Sequence, residues 1–168
     1  MAFQASFKTE KMGDTKQILK DIENSEHQKI KLAVVDIDGI LRGKVVRKDK
    51  FLSAAESGFG YCDVVFGWDS ADVAYDNTKF TGWHTGYPDA EARIDLKTLR
   101  HVPWDNDIPF FLADFRNSEG GPSHVCPRSL LKNVNAKASE MGFKALFSQE
   151  FEWFNFAEDP DTIHEKNF

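Results

Sequence analysis

The stretch from Phe143 to Phe156 is the most restrictive feature of the sequence. It reads FKALFSQEFEWFNF, is rich in apolar and aromatic residues, and contains no Gly or Pro. Such a pattern predicts a buried or half-buried β-strand. Because side chains alternate along a strand, Glu150 and Glu152 are predicted to share one face, with backbones about 7 Å apart. Burying ionised carboxylates uncompensated is too costly for a strand, so metal ions, basic side chains or water must meet them.

The pattern alone leaves two interpretations of this glutamate pair open. Antiparallel sheets often face water on one side, and both glutamates are then simply solvated. The aromatic neighbours Phe151, Trp153 and Phe154 suit a wet face less well and favour a site for a positive partner.

Composition and charge narrow the class of protein. The chain has 168 residues, of which 41% are hydrophobic and 15 are Phe, enough for one domain or a small domain plus part of another. A net charge of -6 without a Lys/Arg cluster argues against nucleic acid or an anionic membrane as partner. No apolar run approaches the ~18 residues of a membrane span. Two cysteines without metal-ligand spacing suit a reducing, cytoplasmic location.

Elsewhere the chain predicts short helices and strands. Helices are expected over 15–24, over 50–57 with Asp49 as cap, and from Pro127 to a C-cap at Gly142. Strands are expected over 30–37, 41–47, 63–66, 92–99 and 108–115. The run NSEGGP at 117–122 marks a boundary. Since the one helix and one strand beyond it cannot bury a core alone, we expect the second domain to be truncated.

Residues Val34–Gly39, reading VVDIDG, resemble the first motif of haloacid-dehalogenase-like phosphatases. There Asp36 would attack phosphate and Asp38 would act as acid and base. The sequence after Gly39 continues as a strand instead of opening a helix, and the later acidic pair of those enzymes is not found. A hairpin turn at Asp38-Gly39 is therefore the favoured interpretation.

A second resemblance covers roughly residues 28–157. The segment CPRSLLK from Cys126 and the segment FSQEFEWFNF from Phe147 resemble the helix opening and the F-G-x-E-x-E-F-F-L-F strand of the glutamine synthetase family. Further motifs match in order: the hairpin D-x-x-G-x-x-R-G-K around Asp38 to Lys44, Tyr87-Pro88-Asp89, Pro103-Trp104 and Ala113-Asp114.

This resemblance implies an α+β chain. Residues 1–27 would form a tail and short helix, 28–116 a β-grasp-like domain, and 117–168 the truncated helix-strand start of a catalytic domain. It also implies that Glu150 binds the metal on the nucleotide side and Glu152 the metal on the amino-acid side, as Mg²⁺ or Mn²⁺. In the family, ATP phosphorylates a carboxylate such as that of glutamate, and ammonia or an amine attacks the acyl phosphate, within a homo-oligomeric ring. The 168 residues alone are expected to be inactive.

The residues that would hold the ammonia or amine match the family's motif less closely. Ammonia-using members carry D-G-S-S after an apolar strand, whereas this chain has FGWDSAD at 66–72. Asp69 is thus an approximate match for the ammonium-holding Asp, and a larger amine is an equal alternative. Asp89 is the better match, although both residues also suit simple turns. The alternative to a ligase is a non-catalytic assembly or binding module that keeps the β-grasp fold.

Overall fold

The computed structural model describes residues 15–166. Its elements are α1 (Thr15–Asn24), β1 (Lys29–Val35), β2 (Leu41–Arg47), α2 (Lys48–Ser57), β3 (Phe59–Cys62), a 3₁₀ helix (Asp63–Phe66), β4 (Asp89–Val102), β5 (Ile108–Phe115), α3 (Pro127–Glu140) and α4 (Pro160–Glu165). The predicted N-terminal tail before Thr15 lies outside the described residues. Within them, no helix is long and apolar enough to cross a membrane.

The strands form one mixed sheet. Its five strands lie in the order β2-β1-β5-β4-β3. The β1–β2 hairpin is antiparallel and brings Val35 opposite Leu41, whereas β1 and β5 run parallel with Leu32 opposite Phe111. The chain between these parallel strands supplies β2, α2, β3 and β4. This arrangement confirms the predicted α+β, β-grasp-like fold.

The core lies on one face of the two central strands, β1 and β5. Because side chains alternate, every second residue of each strand points to this face. These residues are buried: Ile30, Leu32, Val34, Phe111, Ala113 and Phe115. Side chains of α1 and α2 cover one end of the face, and the 3₁₀ helix and Cys126 cover the other.

The connection after α2 differs from the prediction in two places. The strand lies at Phe59–Cys62 and not at 63–66, where the chain forms the 3₁₀ helix. Asp63 is held there by a distant loop residue, because its carboxylate accepts a 2.5 Å hydrogen bond from the Thr81 hydroxyl. Asp49 lies in the first turn of α2, where an acidic residue suits the helix dipole, but it is not the N-cap.

The predicted strand over 143–156 is wrong. The segment has no regular secondary structure, and its side chains are exposed, Phe154 to 85%. A strand needs a neighbour to satisfy its backbone N–H and C=O groups. The sheet of residues 15–166 ends at β2 and β3 and pairs with no part of this segment. The apolar pattern is real, but the described residues supply no partner strand.

Truncation of Phe111 tests the position of the core. Its ring is fully buried against Phe51, with centroids 4.8 Å apart. We expect Phe111→Ala to lower the free energy of unfolding by about 3–5 kcal/mol, through lost burial and the cavity left behind. Urea denaturation measures this change. Trp104→Ala, at an 88% exposed ring, is the control and is expected to cost less than about 0.5 kcal/mol.

Candidate functional site

Asp36 is the centre of the β1–β2 turn. Its carboxylate is fully buried, and Oδ1 accepts hydrogen bonds from the backbone N–H groups of Asp38 at 3.0 Å and Ile40 at 2.8 Å. Oδ2 accepts from Arg42 Nε at 2.7 Å. An aspartate whose two oxygens are engaged in this way organises a hairpin and is not presented to a substrate. The structure thus supports the hairpin and not the phosphatase interpretation of Asp36 and Asp38.

Arg42 joins this turn to the long loop that follows the 3₁₀ helix. Its Nη1 donates to Asp72 at 2.5 Å and its Nη2 to the Asp69 carbonyl at 3.3 Å, while its guanidinium lies 4.9 Å from the centre of the Trp68 ring. The hydrogen bond to Asp36 raises the pKa of Arg42 above its usual value. We call Asp36, Arg42, Trp68, Asp69 and Asp72 the Arg42 cluster.

Asp69, the predicted amine-side residue, caps a turn within this cluster. Its Oδ1 accepts from the N–H groups of Ala71 at 2.8 Å and Val73 at 3.0 Å. The neighbouring Trp68 indole N–H is buried and has no acceptor among the described residues. A buried donor without a partner costs about 1–3 kcal/mol, so the loop around Trp68 carries this cost within residues 15–166.

Asp89, the second amine-side prediction, lies elsewhere. It begins β4 opposite Cys62 of β3, with an exposed side chain. A Cβ added to Gly60 would lie 2.7 Å from Asp89 Oδ2, so a glycine at this position makes room for the carboxylate. Among the described residues, no hydrogen bond or ion pair links Asp89 to Asp69 or to the glutamate pair.

A charge cluster that the sequence did not predict attaches α3 to the sheet. Arg128 donates to Asp114 at 2.6 Å and to Asp95 at 2.9 Å, and Lys132 reaches the same two carboxylates. We call these four residues the α3 anchor. Arg128 and Lys132 are four residues apart and therefore lie on one helix face. The sequence signal that could have predicted the α3 anchor is this spacing of two basic residues, together with an acidic residue on each of two neighbouring strands.

The α3 anchor changes the pKa values of its members. Burial raises the pKa of Asp95, but the hydrogen bond from Lys132 and the charges of Lys132 and Arg128 outweigh it, so the pKa lies below its usual value. Burial lowers the pKa of Lys132, and the hydrogen bonds to Asp114 and Asp95 reverse this, so its pKa lies above the usual value. Both groups are therefore charged at neutral pH and hold the helix electrostatically.

The apolar side of α3 is the part left uncovered. Leu130, near the start of the helix, is 63% exposed, and Met141, just after its end, is 64% exposed. The chain then leaves the helix through Gly142, which has a φ of +84°, and enters the exposed segment 143–156. Glu150 and Glu152 lie in this segment with exposed side chains. The helix and the segment that follows it thus both carry exposed apolar side chains, and the segment also carries two exposed carboxylates.

Curated relatives cover most of the chain. Type-1 glutamine synthetase 2 of Dictyostelium discoideum is 52% identical over 151 residues, which are 90% of this chain and 29% of that protein. Over this span, the chain belongs to the glutamine synthetase family. A glutamate–isopropylamine ligase of a Pseudomonas species is 42% identical over 143 residues, 83% of this chain and 31% of that protein. The chain thus spans about three tenths of the length of these relatives. No protein-family model matches it.

Two solved structures share the fold. Plasmodium falciparum glutamine synthetase, determined by cryo-electron microscopy, superposes with a TM-score of 0.56 at 16% identity, over 77% of this chain and 23% of that chain. A GmaS complex with ADP gives a TM-score of 0.55 at 21% identity, over 74% of this chain and 26% of that chain. At these identities the likeness concerns the fold, which agrees with the sheet described above.

The role of Asp36 can be tested by comparing the two aspartates of its turn. Asp36→Asn removes the buried charge that pairs with Arg42, so we expect a loss of about 2 kcal/mol in the free energy of unfolding. Asp38 is the exposed neighbour and provides the control: Asp38→Asn is expected to change the free energy of unfolding by less than about 0.5 kcal/mol. Hydrolysis of p-nitrophenyl phosphate by the unmodified chain, abolished by Asp36→Asn, would instead support a phosphatase.

The α3 anchor predicts a pH dependence of stability. Because the pKa of folded Asp95 lies below the usual value, its ionised form stabilises the fold above pH about 4, and this contribution is lost as the pH falls through the folded pKa. We expect Asp95→Asn to cost about 1 kcal/mol at pH 7 and progressively less below pH about 4. Urea denaturation from pH 7 to 3 measures the difference. Asp76→Asn, at an exposed carboxylate, is the control; an Asp95→Asn deficit that stays constant down to pH 3 would contradict the prediction.

Proposed function

We propose that this chain forms the N-terminal part of an ATP-dependent ligase that joins glutamate, or a related carboxylate, to ammonia or another amine through an acyl phosphate. The observation that carries the proposal is the 52% identity over 90% of the chain to a protein named as a glutamine synthetase. The Pseudomonas relative, named as a glutamate–isopropylamine ligase, supports an amine as an alternative to ammonia. We retain the division at residue 117 between the β-grasp-like domain and the start of the catalytic domain.

Glu150 and Glu152 are the proposed metal ligands. Both side chains are exposed. Carboxylates are hard oxygen donors, the type of ligand that Mg²⁺ and Mn²⁺ prefer. When bound, such ions neutralise charge on the phosphates as the terminal phosphoryl group of ATP is transferred. We propose Glu150 on the nucleotide side and Glu152 on the amino-acid side. This assignment gives each ion one carboxylate, fewer than the ligands such an ion takes, so further protein ligands or substrate oxygens must complete each site.

The α3 anchor has a positioning role in this proposal. Its ion pairs fix α3 against the sheet, and α3 leads through Gly142 into the glutamate segment. The exposed apolar side chains of α3 and the exposed aromatic residues of 143–156 are the ones against which we propose that the remaining strands of a catalytic sheet dock. Docking would supply the backbone partners that this segment lacks and turn it into the strand that its sequence favours.

The Arg42 cluster is the proposed amine-side element. Asp69 is held at its edge, beside a buried indole N–H that has no acceptor in residues 15–166. We propose that this edge faces the catalytic domain of a neighbouring copy in a homo-oligomeric ring, with Asp69 toward the amine. Asp89 lies outside the cluster, at the start of β4, and we retain it as a second, separate amine-side candidate. Two free cysteines agree with the proposed cytoplasmic location.

A chimera tests the ligase proposal. These 168 residues replace the matching part of the Dictyostelium relative, and ADP release is measured with glutamate and a panel of ammonium, isopropylamine and ethanolamine. We expect amine-dependent turnover, and a loss of at least about 100-fold in kcat with Glu150→Gln or Glu152→Gln, because each removes a charge from the metal site. Glu140→Gln, at an exposed acid of α3, is the matched control.

The outcomes separate the alternatives. The 168 residues alone are expected to form no glutamine or amide, and measurable synthesis by them would contradict the proposed incomplete site. A folded chimera that is inactive with every amine, while the unmodified relative is active, would favour a non-catalytic assembly module.

A further inference from the structure

The fold brings two histidines and an aspartate together at the edge of the sheet opposite the β1–β2 turn. His27 lies just before β1, His101 lies near the end of β4, and Asp107 ends the turn that leads into β5. Because β1 and β5 run parallel and β4 runs antiparallel to β5, the starts of β1 and β5 meet the end of β4 at one edge. Three segments distant in sequence therefore contribute one side chain each.

The three side chains are already close to the geometry of a metal site. One ligand atom from each residue lies within 4.8 Å of the others. Ligands at the usual 2.0–2.1 Å from a tetrahedral ion are about 3.4 Å apart, so a contraction of about 1.5 Å at most is needed. His101 and Asp107 are 44% and 64% exposed, so their side chains have room to make this movement.

The turn holds the His101 ring in a suitable orientation. Its Nδ1 lies 2.9 Å from the backbone carbonyl oxygen of Asp107. A carbonyl can only accept, so Nδ1 carries a proton in this contact, and the Nε2 lone pair of a neutral ring is then available to a metal. The Asp107 carboxylate lies 3.3 Å from the same Nδ1, so it has to rotate toward Nε2 to bind the same ion. His27 faces the same ring, with centroids 6.2 Å apart.

We propose that His27, His101 and Asp107 bind a divalent transition-metal ion of the zinc type. Two imidazoles and one carboxylate are donors preferred by Zn²⁺, Ni²⁺ and Cu²⁺, whereas Mg²⁺ prefers oxygen ligands alone. Three protein ligands leave one tetrahedral position for water. This site shares no residue with the proposed Glu150 and Glu152 site, and it takes a different class of metal ion.

The bound ion would join the start of β1 to the β4–β5 turn. The same edge already carries an ion pair between Lys31 of β1 and Asp105 of the turn, at 2.5 Å. A metal that binds the folded form and not the unfolded chain raises stability in proportion to its affinity and concentration. Binding therefore makes the thermal stability of this domain dependent on the zinc concentration.

Calorimetric titration of Zn²⁺ into the untagged, EDTA-treated chain tests the site. We expect one high-affinity Zn²⁺ per chain and a higher Tm with Zn²⁺. We also expect a loss of at least about tenfold in affinity for both His27→Gln and His101→Gln. His164→Gln, at an exposed histidine of α4, is the matched control and is expected to keep wild-type affinity. The visible absorption of Co²⁺ reports tetrahedral coordination independently of affinity.

Two results would overturn the proposal: unchanged Zn²⁺ affinity in the His27→Gln/His101→Gln double variant, or an equal loss in the His164→Gln control. Circular dichroism in EDTA verifies that each variant is folded. If His101→Gln disturbs the β4–β5 turn, His27→Gln decides alone, because His27 lies outside that turn. Asp107→Asn then adds a second test, since Asn tolerates the positive φ of 56° at this position.

Discussion

The parallel pairing of β1 with β5 is the interaction on which the described fold depends. These strands lie at positions two and three of the sheet. Their alternate residues supply the buried face against which α1, α2 and the 3₁₀ helix pack. A parallel pair cannot be joined by a tight turn. The intervening chain is therefore long, and it makes the β1–β2 hairpin, α2 and the β3–β4 pair on its way to β5.

Charges, more than apolar contacts, connect the sheet to α3. The side chains of Arg128 and Asp114 are 18% and 10% exposed, so their ion pair is screened by solvent less than a surface pair would be. The helix thus keeps its apolar face for other contacts while its polar face is committed to the sheet. The polar face of α3 therefore contacts the sheet, and its apolar face is available to a second neighbour.

Local patterns explain which elements could be predicted from the sequence. The β1–β2 hairpin follows from two β-rich runs around Asp38-Gly39, and α3 follows from Pro127 at its start and Gly142 after its end. These features depend on a few adjacent residues. The bounds of β2 and β5 were predicted correctly for the same reason.

The missed features depend on contacts between distant residues. The Asp63–Thr81 hydrogen bond, the α3 anchor and the His27–His101–Asp107 group each join segments that only the folded topology brings together. The segment 143–156 has the local pattern of a strand, but whether it forms one depends on a partner that local pattern cannot specify. Glu150 and Glu152 were selected by motif, and both their role as metal ligands and their common face remain predictions.

The exposed segment after α3 also has a consequence for colloidal behaviour. An unpaired apolar stretch of high β-propensity can pair with its own copies, and charged residues within it oppose such association. In residues 143–156, those charges are Lys144, Glu150 and Glu152. The two proposed metal ligands are thus also placed to oppose self-association of this segment.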